Sequence, residues 1–222
     1  REFGDGAHDF LYIPVVAEDG NTWLNHNLGA HYTDINHPSF NPAQQATSFD
    51  DHLAYGSSYQ WGRYSDGHEL ITYTSATVGT QVNGVTTTIP STPFPGHSDW
   101  ISTNVSWHAD PAVSDLWLEE TSINNPCPDG YRVPLNWEWN NYLTFASITE
   151  MNSAASSALA LPVGGLRNRS GGTIASEGLS GYYWAGEQGS STDGRNIRIR
   201  STTVATSSDT KSYGMLVRCI KD

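Results

Sequence analysis

Eight of the eleven basic side chains stand in the last quarter of the chain: Arg167, Arg169, Arg195, Arg198, Arg200, Lys211, Arg218 and Lys221. A guanidinium makes paired hydrogen bonds from a planar fork and stacks on aromatic rings, so arginines gathered in one segment suit an anionic or aromatic-bearing partner. Up to residue 165 there are three bases against eighteen acids, −15; from Leu166 onward there are eight against five, +3, which together give the net −12. The residues around these arginines are Ser, Thr, Gly, Asn and Asp, an adaptable polar set of the kind a recognition surface uses. The plainer reading is a solvated edge of an acidic domain.

Other chemistry is harder to find. The eight histidines are scattered and none falls at the spacing of a helical zinc motif. Asp50-Asp51-His52 and Asp66-Gly67-His68-Glu69 are acidic turns where a structural calcium could sit, although such turns are ordinarily just solvated. Gly164-Gly165 and Gly171-Gly172 lack the Lys-Ser/Thr that follows a phosphate loop, and there is no nucleophile elbow or dinucleotide fingerprint. The neighbouring carboxylates Glu119-Glu120 say nothing about spacing across a cleft. No catalytic residue, cofactor or metal ligand set is therefore expected. The net charge argues against nucleic acid or an anionic membrane as partner. No apolar run reaches membrane-spanning length and no signal peptide is seen, which says little about compartment.

The elements that must position the arginines read as mostly β. The chain of 222 residues suits one large domain, and its Trp, Tyr, Gly, Ser, Thr and Asn content favours short strands and ordered loops. Residues 1–10 read as a linker, and Phe10–Val16 as a first strand that Pro14 places at an edge or bulge. Asn83-Gly84 between β-formers predicts a hairpin. Residues 93–125 form a long loop-like insert pinned by Trp100, Trp107 and Trp117. From Pro134 to about Asn152, Trp139, Tyr142, Leu143 and Ala146 follow helical spacing, and Ser153–Ala160 extends that helix or makes a second turn. Ile197 and Ile199 alternate with Asn196, Arg198 and Arg200, a half-buried strand. Tyr213–Ile220 reads as a central last strand. Cys127 lies in a turn and Cys219 in that strand; they are either free core thiols or one disulfide closing a loop of roughly 90 residues, an arrangement suited to an extracellular setting.

Seven segments taken in order carry a resemblance. They are Thr22-Trp23-Leu24-Asn25-His26-Asn27-Leu28-Gly29; Ala54-Tyr55-Gly56 with Tyr59-Gln60-Trp61-Gly62-Arg63; Asp66-Gly67-His68; Pro95-Gly96-His97-Ser98-Asp99; Asn124-Asn125-Pro126-Cys127-Pro128-Asp129-Gly130-Tyr131-Arg132-Val133-Pro134; Gly181-Tyr182-Tyr183-Trp184; and Ser212 to Asp222. From about residue 10 onward the chain resembles the Fibrobacter succinogenes major paralogous domain, and within it the variable proteins of diversity-generating retroelements. The resemblance implies an α+β, C-type-lectin-like fold: small twisted antiparallel sheets, one or two helices, neighbouring termini and a loop-rich half. It makes residues 11–222 a single domain and matches Cys127 and Cys219 to the family's structural pair. Arg132-Val133-Pro134-Leu135-Asn136-Trp137-Glu138-Trp139 is similar to the helix start of the related formylglycine-generating enzymes, with Leu135 in place of the capping Thr, so that Asn136 would cap one residue later. The copper-binding cysteine pair of those enzymes has no counterpart.

By the same resemblance, residues 164–211 form a displayed segment on a fixed frame. Gly178, Gly181, Tyr182, Tyr183, Trp184, Ile197 and Ile199 are frame. Arg167, Asn168, Arg169, Ser170, Glu187, Gln188, Ser190, Ser191, Asp193, Arg195, Asn196, Arg198 and Arg200 are display. The expected function is a non-enzymatic domain that binds a protein or glycan receptor at a cell surface or on a virion. The alternatives are a subunit of a surface filament or pilus, whose patch would face a neighbour, and an enzyme related to sulfatase-modifying proteins, which would need reactive cysteines. A displayed face leaves Arg198 and Arg200 free; a structural role pairs them with acids of the same chain.

Overall fold

The computed structural model describes residues 9–108 and 113–222. In chain order its elements are β1 (Pro14–Val16), β2 (Thr22–Leu24), β3 (Tyr59–Gln60), β4 (Ile71–Ser75), β5 (Val78–Gln81), β6 (Val85–Thr86), β7 (Trp100–Ile101), β8 (Tyr131–Arg132), α1 (Asn136–Phe145), α2 (Met151–Ala155), β9 (Gly164–Arg167), β10 (Ile174–Ala175), β11 (Ser180–Gln188), β12 (Asp193–Arg200), β13 (Val204–Thr210), β14 (Gly214–Met215) and β15 (Ile220–Lys221). The fold is α+β. One sheet runs β1-β2-β15-β8, so the first and last strands both pair with β2. The larger runs β13-β12-β11-β9-β14-β3, with β10 attached to β9; β4-β5 and β6-β7 are separate ladders. Most of the presumed linker lies outside the described residues. The first strand is shorter than its sequence suggests, but Pro14 does sit on an edge. The last segment is central twice over, β14 between β9 and β3 and β15 between β2 and β8.

Indoles fill the interior. Seven of the eight tryptophans have no exposed surface, among them Trp139 and Trp184 and all three in the 93–125 insert. Buried indole N–H groups need acceptors, and here they find backbone carbonyls: Trp61 on Ala185 (2.9 Å), Trp107 on Trp61 (2.7 Å), Trp184 on Tyr59 (2.7 Å), Trp139 on Trp184 (3.1 Å) and Trp117 on Asn124 (2.9 Å). These bonds tie segments with little regular structure to the β11 frame. Cys127 and Cys219 form a disulfide across 92 positions, with Cα atoms 6.0 Å apart. In the chain-entropy model such a loop restricts the unfolded state by about 4–5 kcal/mol.

Two helices are present, within the one or two expected, but the helical run from Pro134 to about Asn152 is broken, and the Asn136 cap and the Asn83-Gly84 hairpin are corrected. α1 stops at Phe145, with Ser147 in the left-handed region (φ 53°), and α2 begins after Glu150, whose carboxylate accepts from the N–H groups of Asn152 and Ser153. Asn136 does not cap α1 but is its first residue; its N–H donates to Glu187 Oε2 (2.6 Å), an acceptor supplied by β11, while Leu135 N–H donates to Glu138 (2.7 Å). The hairpin turns at Ala76-Thr77 rather than Asn83-Gly84. The type I′ turn that Asn-Gly favours needs φ above zero at both positions and type II′ at the first, and neither Asn83 nor Gly84 has it. The Asn83 amide instead donates to the Gly67 carbonyl, and β6 pairs in parallel with β7.

Candidate functional site

Side chains alternate along the β11-β12-β13 meander, and its register decides which of them meet. Tyr182 lies opposite Arg198, Trp184 opposite Asn196, and Arg198 opposite Ala205. Tyr183, Ile197, Ile199 and Val204 point to the helix side, where they pack with Trp139 and Tyr142. Asn196, Arg198 and Arg200 therefore share the other face, as the alternation with the two isoleucines predicts.

Their environments differ. The Asp209 carboxylate accepts from Arg198 Nη2 at 2.6 and 2.7 Å and from Asn196 Nδ2 at 2.9 Å. Asn196 is fully buried, so it braces the sheet and is not displayed. Arg198 is 27% exposed and paired, which is the structural alternative raised above. Arg200 is exposed, and its guanidinium has no partner among the described residues. Asp209 and the half-buried Tyr182 belong to this face, yet Asp209 was not singled out and Tyr182 was assigned to the frame. The two-residue turn at Ser201-Thr202 fixes the register that pairs Gly194 with Asp209, and was the signal that could have found it.

The other arginines do not join them. Arg167 has no exposed surface. It lies 4.1 Å over the Trp100 ring and donates to the carbonyls of Gly172 (3.0 Å) and His68 and to Gln81 Oε1 (3.0 Å). It is a clamp between loops and cannot be displayed. Arg169 lies 5.1 Å over Tyr213 and donates to Thr210 Oγ1 (2.9 Å). Thr210 is five residues along β13 from Ala205, roughly 17 Å from the strand position that faces Arg198. Arg195 is exposed but shares the parity of Ile197 and points to the opposite side.

Several further display positions are occupied by the fold. Glu187 supplies the missing acceptor of α1. Gln188 accepts from Lys211 Nζ (3.0 Å), a buried ammonium 4.7 Å over Trp61 that burial pulls down to about 8. Ser190 accepts from the N–H groups of Thr192 and Asp193 in the β11–β12 turn, and Asn168 Oδ1 accepts from Ser170 N–H (2.9 Å). Ser170 and Ser191 are exposed.

The acidic turns are also internally used. Asp51 accepts from Tyr32 OH, Thr47 N–H and hydroxyl, and Leu53 N–H. Asp66, His68 and Glu69 bring ligand-type atoms within 4.8 Å of one another. However, His68 Nε2 accepts from Gln60 N–H (3.1 Å), so the ring proton resides on Nδ1, 2.6 Å from Asp66 Oδ1. That nitrogen has no lone pair for a metal, and Asp66 also accepts from Arg63 Nε (2.8 Å).

Among the described residues no helix is long and apolar enough to cross a membrane. Comparison of the chain with protein-family models, curated proteins and solved structures gives no match. The family resemblance thus rests on the seven sequence segments alone.

Proposed function

We propose that the chain is a non-enzymatic, extracellular binding module of C-type-lectin-like fold, with its partner gripped by Tyr182, Arg198 and Arg200 on the outer face of the meander. The observation that carries this reading is Arg200: an exposed guanidinium with no counter-ion among the described residues, one strand from Tyr182 and beside Arg198 on the same face, on a chain of net charge −12. Long-range repulsion would exclude most anions from such a chain, while this corner offers a fork and a ring to an acidic or aromatic group. The disulfide supports an oxidising compartment. It also leaves no free thiol on a chain with two cysteines, which weighs against the chemistry of sulfatase-modifying relatives.

A glycan and protein array probed with the parent chain and with Arg200→Ser tests the reading. The variant should melt within a few degrees of the parent, because an exposed substitution changes stability by about 0.5 kcal/mol or less, and should lose the array signal. Arg198→Ser should cost about 1 kcal/mol as well, since it leaves Asp209 with Asn196 alone. Full binding by Arg200→Ser would remove this face from consideration.

A further inference from the structure

β13 is the edge of the larger sheet, and it is the longest edge strand among the described residues. The competing edges are shorter: β4 has five residues with a register shift against the four of β5, β1 three, beginning with proline, and β3 and β8 two each. Natural sheets blunt such edges with proline, lysine, bulges or brevity. β13 has none of these, and its one charge, Asp209, is paired with Arg198 near the strand's end; its register with β12 is unbroken over seven residues.

The register also shows which backbone groups are unused. Bonded and non-bonded pairs alternate in an antiparallel ladder. Arg200 N–H donates to Thr203 O (2.9 Å) and Lys211 N–H to Thr192 O (2.9 Å). The bonded pairs are therefore 200:203, 198:205, 196:207, 194:209 and 192:211. The N–H and C=O groups of Val204, Thr206 and Ser208 point outward, at intervals of roughly 6.8 Å.

We propose that β13 pairs antiparallel with β13 of a second copy of this chain about a two-fold axis at Thr206, joining the two large sheets into one. Thr206 then faces the partner's Thr206, and Val204 faces the partner's Ser208. Each facing pair exchanges two backbone bonds, six in all. Charge selects the copy as occupant. The stretch Ser201–Ser208 has no ionisable side chain, so two chains of net −12 meet here without opposing acids. Space is available: a groove of about 660 Å³ runs between the C-terminal half of α1 and β13, lined by Leu143, Thr144, Ile148, Val204 and Thr206, where the facing strand's side chains lie.

Sedimentation equilibrium of the intact, oxidised chain tests this. The parent should show a monomer–dimer equilibrium. Thr206→Pro removes an outward N–H that the monomer does not use, and Thr206→Lys keeps the amide but sets like charges against each other at the axis. Both should raise the dimer Kd by at least about tenfold with melting temperatures near the parent's, while Thr206→Val should dimerise as the parent does. If Thr206→Pro misfolds, Thr206→Lys decides. A parent that stays monomeric at every concentration overturns the proposal, even if its edge takes up a peptide from another protein. Dimers of unchanged Kd in Thr206→Lys overturn it too.

Discussion

Among the described residues, neither buried Arg167 nor buried Arg218 forms an ion pair with a carboxylate. Arg218 is held by Asn27 Oδ1 and by the carbonyls of Leu24 and Leu159, as Arg167 is by His68, Gly172 and Gln81. Neutral oxygens, and for Arg167 the face of Trp100, replace the solvent each guanidinium gives up. These partners come from segments far apart in the chain, so no local pattern marks the arginines as internal. For that reason a charged tail read from sequence resolves into clamps, a sheet brace and few free groups. His26 shows a related effect. It is buried with Nε2 unpartnered, and burial together with the nearby Arg218 charge pulls it down to about 4, from an ordinary 6.5. The unfolded chain thus takes up this proton near pH 6.5 and the folded chain only near pH 4. Stability is complete above pH 6.5 and falls as the pH drops toward 4, by up to about 3 kcal/mol from this one ring. Denaturant titrations at pH 7, 5.5 and 4 should show that loss in the parent and a shallower one in His26→Gln. Equal slopes would mean that the ring protonates freely in the folded state.

Elements were legible where one periodicity dominates. Ile197 and Ile199 gave the strand and its faces, and Trp139 and Tyr142 gave the buried side of α1, because side-chain alternation survives any tertiary context that buries one face. Ends and turns were less legible, since they are set by groups outside the element. α1 illustrates this: its first N–H donates to a glutamate from β11, fifty-one positions away. Glu187→Ala should cost about 1 kcal/mol, the usual effect of losing a cap, and lower the melting temperature by roughly 2–4 °C. Glu187→Gln, which keeps an acceptor, should recover most of it. A parent-like melting curve for Glu187→Ala would show that water caps the helix equally well. Asn83-Gly84 failed for the same kind of reason. The dipeptide favours a hairpin in isolation, but the Asn83 amide is engaged by Gly67, and neither residue enters the left-handed region.

The whole molecule couples a helix-backed meander to a half built from loops and indoles. The turn placement of Cys127 was readable, as was the need for tryptophans to pin the insert; Cys219 lies between β14 and β15 and not within a strand, and the carbonyls that receive each indole were not readable, because they depend on the completed fold. Reduction should lower the unfolding free energy by about 4 kcal/mol, and intact mass should rise by two protons on reduction. A denaturation midpoint indifferent to reductant would mean that the unfolded chain is already constrained. The bridge has a mechanical meaning as well. Tension applied between the two ends of this chain travels from residue 127 directly to residue 219, because the sulfur link is the shorter covalent route. Everything between them, including Tyr182, Arg198, Arg200 and the free edge of β13, lies on a slack branch. While the bridge holds, none of that tension reaches residues 128–218.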